Sequence, residues 1–269
     1  IGKTSLMREV ARRLEGEFLA IHVDLQSASR PEDLVAELSV ASREHRDLHR
    51  RVLDVGRGAI GSLEGLEYSE LSLKIRDAAT PDWQSKADRL LEEFVANTPP
   101  VVVYIDELAI LVNRLLKGFD YVITPERIAL VDPLMSWLRY STIRHAHKIR
   151  FVIASSIGLG PVLAQARLSA TINTFTAFPL APWDRDTAMG ALDALARALH
   201  VEWAPGGREA LVDRLGVCIP HHVQVFWAHL QLDARRRNVF CVRPEDVERV
   251  FRADMLGPSG HAELSHYEE

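Results

Sequence analysis

Five consecutive apolar or aromatic residues, Val101 to Ile105, run directly into two acids, Asp106 and Glu107. A run of this kind predicts a strand buried on both faces, because a half-exposed strand would alternate polar with apolar residues. Its two carboxylates then fall at the carboxyl edge of a sheet, where open α/β folds bind their ligands. Two other segments read the same way: Phe18–Val23 (FLAIHV), and 151–156 (FVIASS), which ends in hydroxyls. Residues 174–180 (TFTAFPL) form a last candidate strand.

Helical patterns separate these runs. In residues 4–15, Leu6, Met7, Val10, Ala11 and Leu14 share one face. Pro31 with Glu32 and Asp33 suits the first turn of a second helix. A third starts at Pro81, carries Trp83, Ala87, Leu90, Leu91, Phe94 and Val95, and is stopped by Asn97-Thr98-Pro99-Pro100. Further helices are expected over about 126–147 and 159–167. Alternating helices and buried strands predict an α/β fold with a parallel sheet covered on both faces. In 66–76, Leu71, Leu73 and Ile75 alternate with Ser72, Lys74 and Arg76, after four glycines at 56, 58, 61 and 65. That pattern predicts a half-exposed strand in a hairpin-like insertion.

From Pro182 onward the strand signals disappear. Asp184 can cap a helix reaching about His200, and helices follow over 206–215, 220–236 and 244–256. The expected organisation is an α/β core over 1–181, an all-α domain over 182–256, and a mobile or truncated tail over 257–269.

The 269 residues are 47% hydrophobic, which excludes a disordered chain. No stretch approaches the roughly 18 apolar residues of a membrane span. Lys and Arg number 32 against 37 Asp and Glu, a net charge of -5, so the chain as a whole is not a basic nucleic-acid binder. Cys218 and Cys241 show neither metal spacing nor a disulfide framework, which fits a reducing, cytoplasmic setting.

The chain opens Ile1-Gly2-Lys3-Thr4, directly before the first amphipathic helix. This matches the end of a G-x-x-x-x-G-K-[ST] phosphate loop, with the upstream half missing. Glycine lets backbone N–H groups close on phosphate oxygens, and the helix N-terminus adds unpaired N–H groups and a positive dipole end. Lys3 would then reach the β- and γ-phosphates, Thr4 would place its hydroxyl on Mg²⁺, and Asp106 would hold that ion beside it. Glu107 would polarise the attacking water as general base. Without a ligand, Gly-Lys-Thr is simply a helix start and the acid pair a favourable first turn for the next helix. Ser155 and Ser156, at the end of the next strand, could touch the γ-phosphate or the water, or could cap the following helix.

With these residues in view, the chain resembles the prokaryotic AAA-type ATPases related to the STAND signalling ATPases and to origin-recognition-type initiators. Gly2 through Glu9, including Ser5, is similar to their phosphate-loop helix, and VVVYIDELAILV to their Walker B strand. FVIASSIGLGPVL resembles their sensor-1 strand and loop, with Ser155 where a glycine is usual. FPLAPWDRDTA and LGVCIPHHVQVF resemble the entry to and the nucleotide-facing part of their helical lid. The resemblance implies ATP and Mg²⁺ as ligands, a five-stranded core sheet, and turnover coupled to a change of shape or partner. It places Pro220 and His221 near the nucleotide. It puts Arg167 where such proteins often carry an arginine finger, although a solvated helix arginine is the simpler account of it. It also implies that the strand before the phosphate loop is missing, so that the segment as it stands would bind ATP poorly.

The partners expected are ATP and a protein partner or a second copy of the chain. The alternative is a DNA-associated initiator-like or mobile-element ATPase whose DNA-binding part lies elsewhere. His221-His222 point to different sides of a helix, so they do not suggest a shared metal. Arg235-Arg236-Arg237 and the His145, His147, Lys148 group are expected to be solvated, and the tryptophans at 83, 137, 183, 203 and 227 to pack in the core.

Overall fold

The computed structural model describes residues 2–45, 48–50, 52, 82–97 and 99–257. The expected strand and hairpin at 66–76 and the tail from 258 lie outside them. The chain divides into two compact units, Lys3–Ala177 and a second built from Phe178 onward.

The first unit holds a parallel sheet of three strands in the order β1 (Leu19–Asp24), β2 (Val101–Asp106), β3 (Ile149–Ala154). Register is continuous: Asp24 pairs with Asp106, and Asp106 with Ala154. Strand alternation divides β2 between two cores. Val101, Val103 and Ile105 enter the large core, formed with α2 (Glu32–Ala41), α3 (Trp83–Val95), α4 (Leu108–Lys117), α5 (Pro125–Arg144) and α6 (Leu159–Gln165). Val102 and Tyr104 face the other way, with Ala154, onto Met7 of α1 (Lys3–Arg13). Both faces of the sheet therefore carry helices, and the α/β architecture read from the sequence is the one observed.

Local chemistry sets the boundaries. Thr124 caps α5 by accepting from the Arg127 N–H at 3.4 Å, with Pro125 as first helical residue. The Trp137 indole N–H donates to Asp88 at 2.8 Å, and its ring meets Trp83 edge-on at 5.8 Å. This ties α3 to α5 through an aromatic pair, Trp137 buried and Trp83 half-buried.

Four expectations for this unit need correction. Residues 174–180 do not form a strand: no described segment offers them a ladder of N–H and C=O groups, and an apolar run without a pairing partner has no reason to stay extended. The described sheet thus has three strands, not the five that the resemblance implies. Of the apolar face of α1, Met7 is buried but Leu6 and Val10 are exposed, because the stripe is wider than the strip of sheet it meets. His145 is also buried rather than solvated.

Burial holds the His145 imidazole below its ordinary value, and Arg144 and His147 push the same way, against Asp88 and Glu92. A lowered folded-state value means that the unfolded chain takes up the proton first. His145 therefore contributes its stability in full above about pH 6.5, and loses it as pH falls below that value towards the folded-state one. Thermal melts between pH 8 and 5 should show a midpoint falling on the acid side, and His145→Gln should shallow that fall. An unchanged acid slope in the variant would assign it to other groups.

The second unit is mainly helical: α7 (Arg185–Ala198), α8 (Gly207–Leu215), α9 (Pro220–Arg236) and α10 (Pro244–Val250), closed by a wide turn over Phe251–Met255. Asp184 caps α7 as expected, accepting from the Thr187 N–H at 2.7 Å. The unit is not purely helical. Glu202–Trp203 (β4) and Cys241–Val242 (β5) form a two-residue parallel ladder, too short to leave a periodic signal. Arg237 is exposed, as expected, and still donates to Asp246 at 2.7 Å, while Arg249 bridges Asp246 and Asp233 at 2.8 and 2.6 Å.

Candidate functional site at the carboxyl edge of the sheet

The site is built where β2 ends. Even-numbered β2 residues face α1, so Asp106 emerges on the side from which Thr4 projects. The Thr4 hydroxyl donates to Asp106 Oδ2, joining the first turn of α1 to the strand end across 102 residues of sequence. Asp106 Oδ1 accepts the Glu107 backbone N–H at 3.1 Å. The same N–H donates to the Ala154 carbonyl at 2.8 Å, extending the ladder towards β3 by one rung.

Glu107 then turns the chain from strand into α4. Its backbone is left-handed (φ 58°, ψ 27°), a conformation that non-glycine residues rarely adopt. Such strain persists only where the surroundings fix it, and here three donors do so. Glu107 Oε2 accepts from Ser155 Oγ at 2.8 Å, from the Ser156 N–H at 2.9 Å and from Ser156 Oγ at 2.9 Å. Both serines converge on the one oxygen, and the sequence had left open which of them mattered. Oε1 takes part in none of these bonds.

Thr4, Asp106, Glu107, Ser155 and Ser156 thus form one hydrogen-bonded cluster within the first unit. Lys3 is the first residue of α1, preceded by Gly2 at φ 88°, and Ser5 is exposed in the same helical turn. Arg167 is exposed just beyond α6, in a left-handed conformation (φ 58°). Pro220 and His221 are the first two residues of α9, in the second unit.

Several solved structures are similar in shape. The Holliday junction branch migration motor RuvB of Thermotoga maritima aligns over 96% of this chain and 69% of its own, at 10% identity and a TM-score of 0.41. Two substituted forms of it align over the same shares at 11% and 12% identity, with TM-scores of 0.39 and 0.40. No protein-family model and no curated protein matches the sequence. Likeness at this distance says nothing of the residues of the site, whose chemistry rests on the geometry above.

On the α1 side, a cavity of about 370 Å³ opens beside Thr4 and Asp106. Its floor is the stacked pair His22 and Tyr104, with centroids 4.8 Å apart and planes 10° from parallel. Burial raises the Tyr104 phenol above its ordinary value, so the ring is neutral and its oxygen can donate. Asp24 and Arg8 line the same space. Asp24 is the residue that sequence reading missed. It ends β1 in register with Asp106 and is the next residue after the apolar run FLAIHV, so a strand-end acid was there to be read.

Proposed function

We propose that this chain carries the catalytic core of a Mg²⁺-dependent ATPase of the AAA type, working as a nucleotide-driven switch. The observation that carries the reading is the meeting of the Thr4 hydroxyl with the Asp106 carboxylate at the sheet edge. A hydroxyl and a carboxylate are hard oxygen donors, the type Mg²⁺ takes at phosphate sites while keeping waters and phosphate oxygens as its other ligands. Thr4 and Asp106 would hold the ion, which when bound supplies positive charge against the phosphate oxygens.

The remaining steps belong to this chain's own groups. The eleven-residue helix α1 presents its unpaired N–H groups and dipole to the phosphates, with Lys3 as point charge. Ser155 and Ser156 fix Glu107 through Oε2, which leaves Oε1 to accept a proton from water. The tail of the nucleotide, the lid movement it governs and the partner it answers to are extensions of the same reading. Arg167, if contributed to a neighbouring copy, would add charge to the phosphates, and turnover would then rise steeply with protein concentration.

Titration with ATP tests the reading. Binding should require Mg²⁺ and weaken about 10–100-fold when EDTA is added or when Asp106 becomes Asn, since each removes charged contacts to the same phosphates. The two losses should not add, because both act through one ion. Binding that ignores both changes would rule the metal out of this site.

A further inference from the structure

The loop after α4 presents aromatic side chains to solvent from a backbone that is firmly braced. Phe119 is 104% exposed, Tyr121 78% and Val122 53%. Large apolar side chains standing together in water mark contact surfaces more often than chance decoration. The bracing is specific. The Arg127 guanidinium, on α5, donates to the Lys117 carbonyl at 2.8 Å, to Asp120 and to the Val122 carbonyl. The Asp120 carboxylate also accepts from the Val122 N–H at 3.3 Å. Gly118 is needed here: a Cβ at this position would meet the Arg127 guanidinium at 2.5–2.6 Å, and φ is 55°. Tyr121 is itself held at φ 57°. One arginine thus ties two backbone carbonyls and the Asp120 carboxylate of this loop together beneath the exposed aromatic residues.

Beside the loop lies a cavity of about 430 Å³, bounded by Ile110, Lys117, Phe119 and Tyr121 together with Asn113 and Arg114. That volume falls in the range of small-ligand and side-chain pockets. Among the described residues no carboxylate lines it, although the chain as a whole carries -5. The Arg114 guanidinium is already occupied by the carbonyls of Gln26, at 3.1 Å, and Ala28. Lys117 makes no ion pair among the described residues and is the cation left to meet a ligand.

We infer that this loop and cavity form a docking surface for a segment of another protein in which acidic residues flank a large apolar side chain. The apolar side chain fills the cavity against Ile110, Phe119 and Tyr121, and a carboxylate reaches the Lys117 ammonium. Because the loop is pre-organised, little conformational entropy is lost on binding. Two cations at the cavity, one of them already braced to backbone carbonyls, argue for a peptide over a nucleic acid, whose affinity grows with each phosphate neutralised.

Three labelled peptides test this on the whole chain without nucleotide: Gly-Glu-Asp-Leu-Phe-Asp-Glu-Gly, a version with lysine for every acid, and a version with serines for Leu-Phe. By fluorescence anisotropy the acidic apolar peptide should bind, and the other two should bind about tenfold less well or not at all. Phe119→Ala and Tyr121→Ala should each weaken the acidic peptide by about tenfold, the effect of removing an interface anchor. Lys117→Glu, at a half-buried position in the last turn of α4, should keep a folded melting transition and reverse the preference between acidic and basic peptides. Amide shifts on adding the acidic peptide should be confined to Ile110–Ile123 and to Ser29, which also lines the cavity. No binding by the acidic peptide at millimolar concentration, equal binding to all variants, or tighter binding of a poly(dT) oligonucleotide would each overturn the inference. None of these outcomes depends on whether the sheet-edge site hydrolyses ATP.

Discussion

Replacing Glu107 with glutamine should cut ATP turnover by about 10²–10⁴-fold, the usual contribution of a positioned general base, while leaving ATP affinity within a few fold. Glutamine keeps the shape of the side chain. Its carbonyl oxygen can still accept from Ser155 Oγ and from the N–H and Oγ of Ser156, as Glu107 Oε2 does. The amide nitrogen then stands where Oε1 stood, and it donates where a base must accept. Because the left-handed backbone at residue 107 is held by the same three donors, the turn into α4 should survive. Turnover and binding measured together separate the outcomes. Unchanged turnover would place the base elsewhere. Loss of binding along with turnover would mean that the carboxylate charge organises the site instead of acting on water.

What the sequence disclosed follows how locally each feature is encoded. The central strand and its two acids were legible because β2 is buried on both faces, so that its signal is a continuous apolar run. The link between Thr4 and Asp106 was legible for a different reason. Each is the terminal polar residue of an element whose direction is set by a parallel sheet, and parallel strands bring their carboxyl ends to one edge. The convergence of Ser155 and Ser156 on one oxygen was not legible, because it depends on the angle at which β3 gives way to its loop. Nor was the unpaired state of 174–180, since an apolar β-prone run carries no record of whether a neighbour exists to complete its hydrogen bonds. The short β4–β5 ladder is below the length at which alternation can be seen. Burial of His145 was hidden by its neighbours His147 and Lys148, which make the segment look polar although it lies at the inner end of α5.

The same substitution at two phenylalanines should have opposite consequences. Phe94, on α3, is fully buried in the core that underlies the large face of the sheet. Phe94→Ala removes a ring from close-packed surroundings and should destabilise the first unit by about 3–5 kcal/mol, the sum of lost transfer energy and the cavity left behind. At about 2–4 °C per kcal/mol for a unit of this size, its calorimetric transition should fall by roughly 6–20 °C. Phe119→Ala truncates a fully exposed ring, and its midpoint should stay within about 0.5 kcal/mol of the parent. A small loss at Phe94 would mean that the helices on that face are not packed as described. A loss above about 1 kcal/mol at Phe119 would mean that the ring is covered in solution, and the docking loop would lose its premise. Both outcomes come from one pair of melting curves, and the second also decides how any loss of peptide binding in Phe119→Ala is read: as a missing contact if the midpoint holds, as a disturbed loop if it does not.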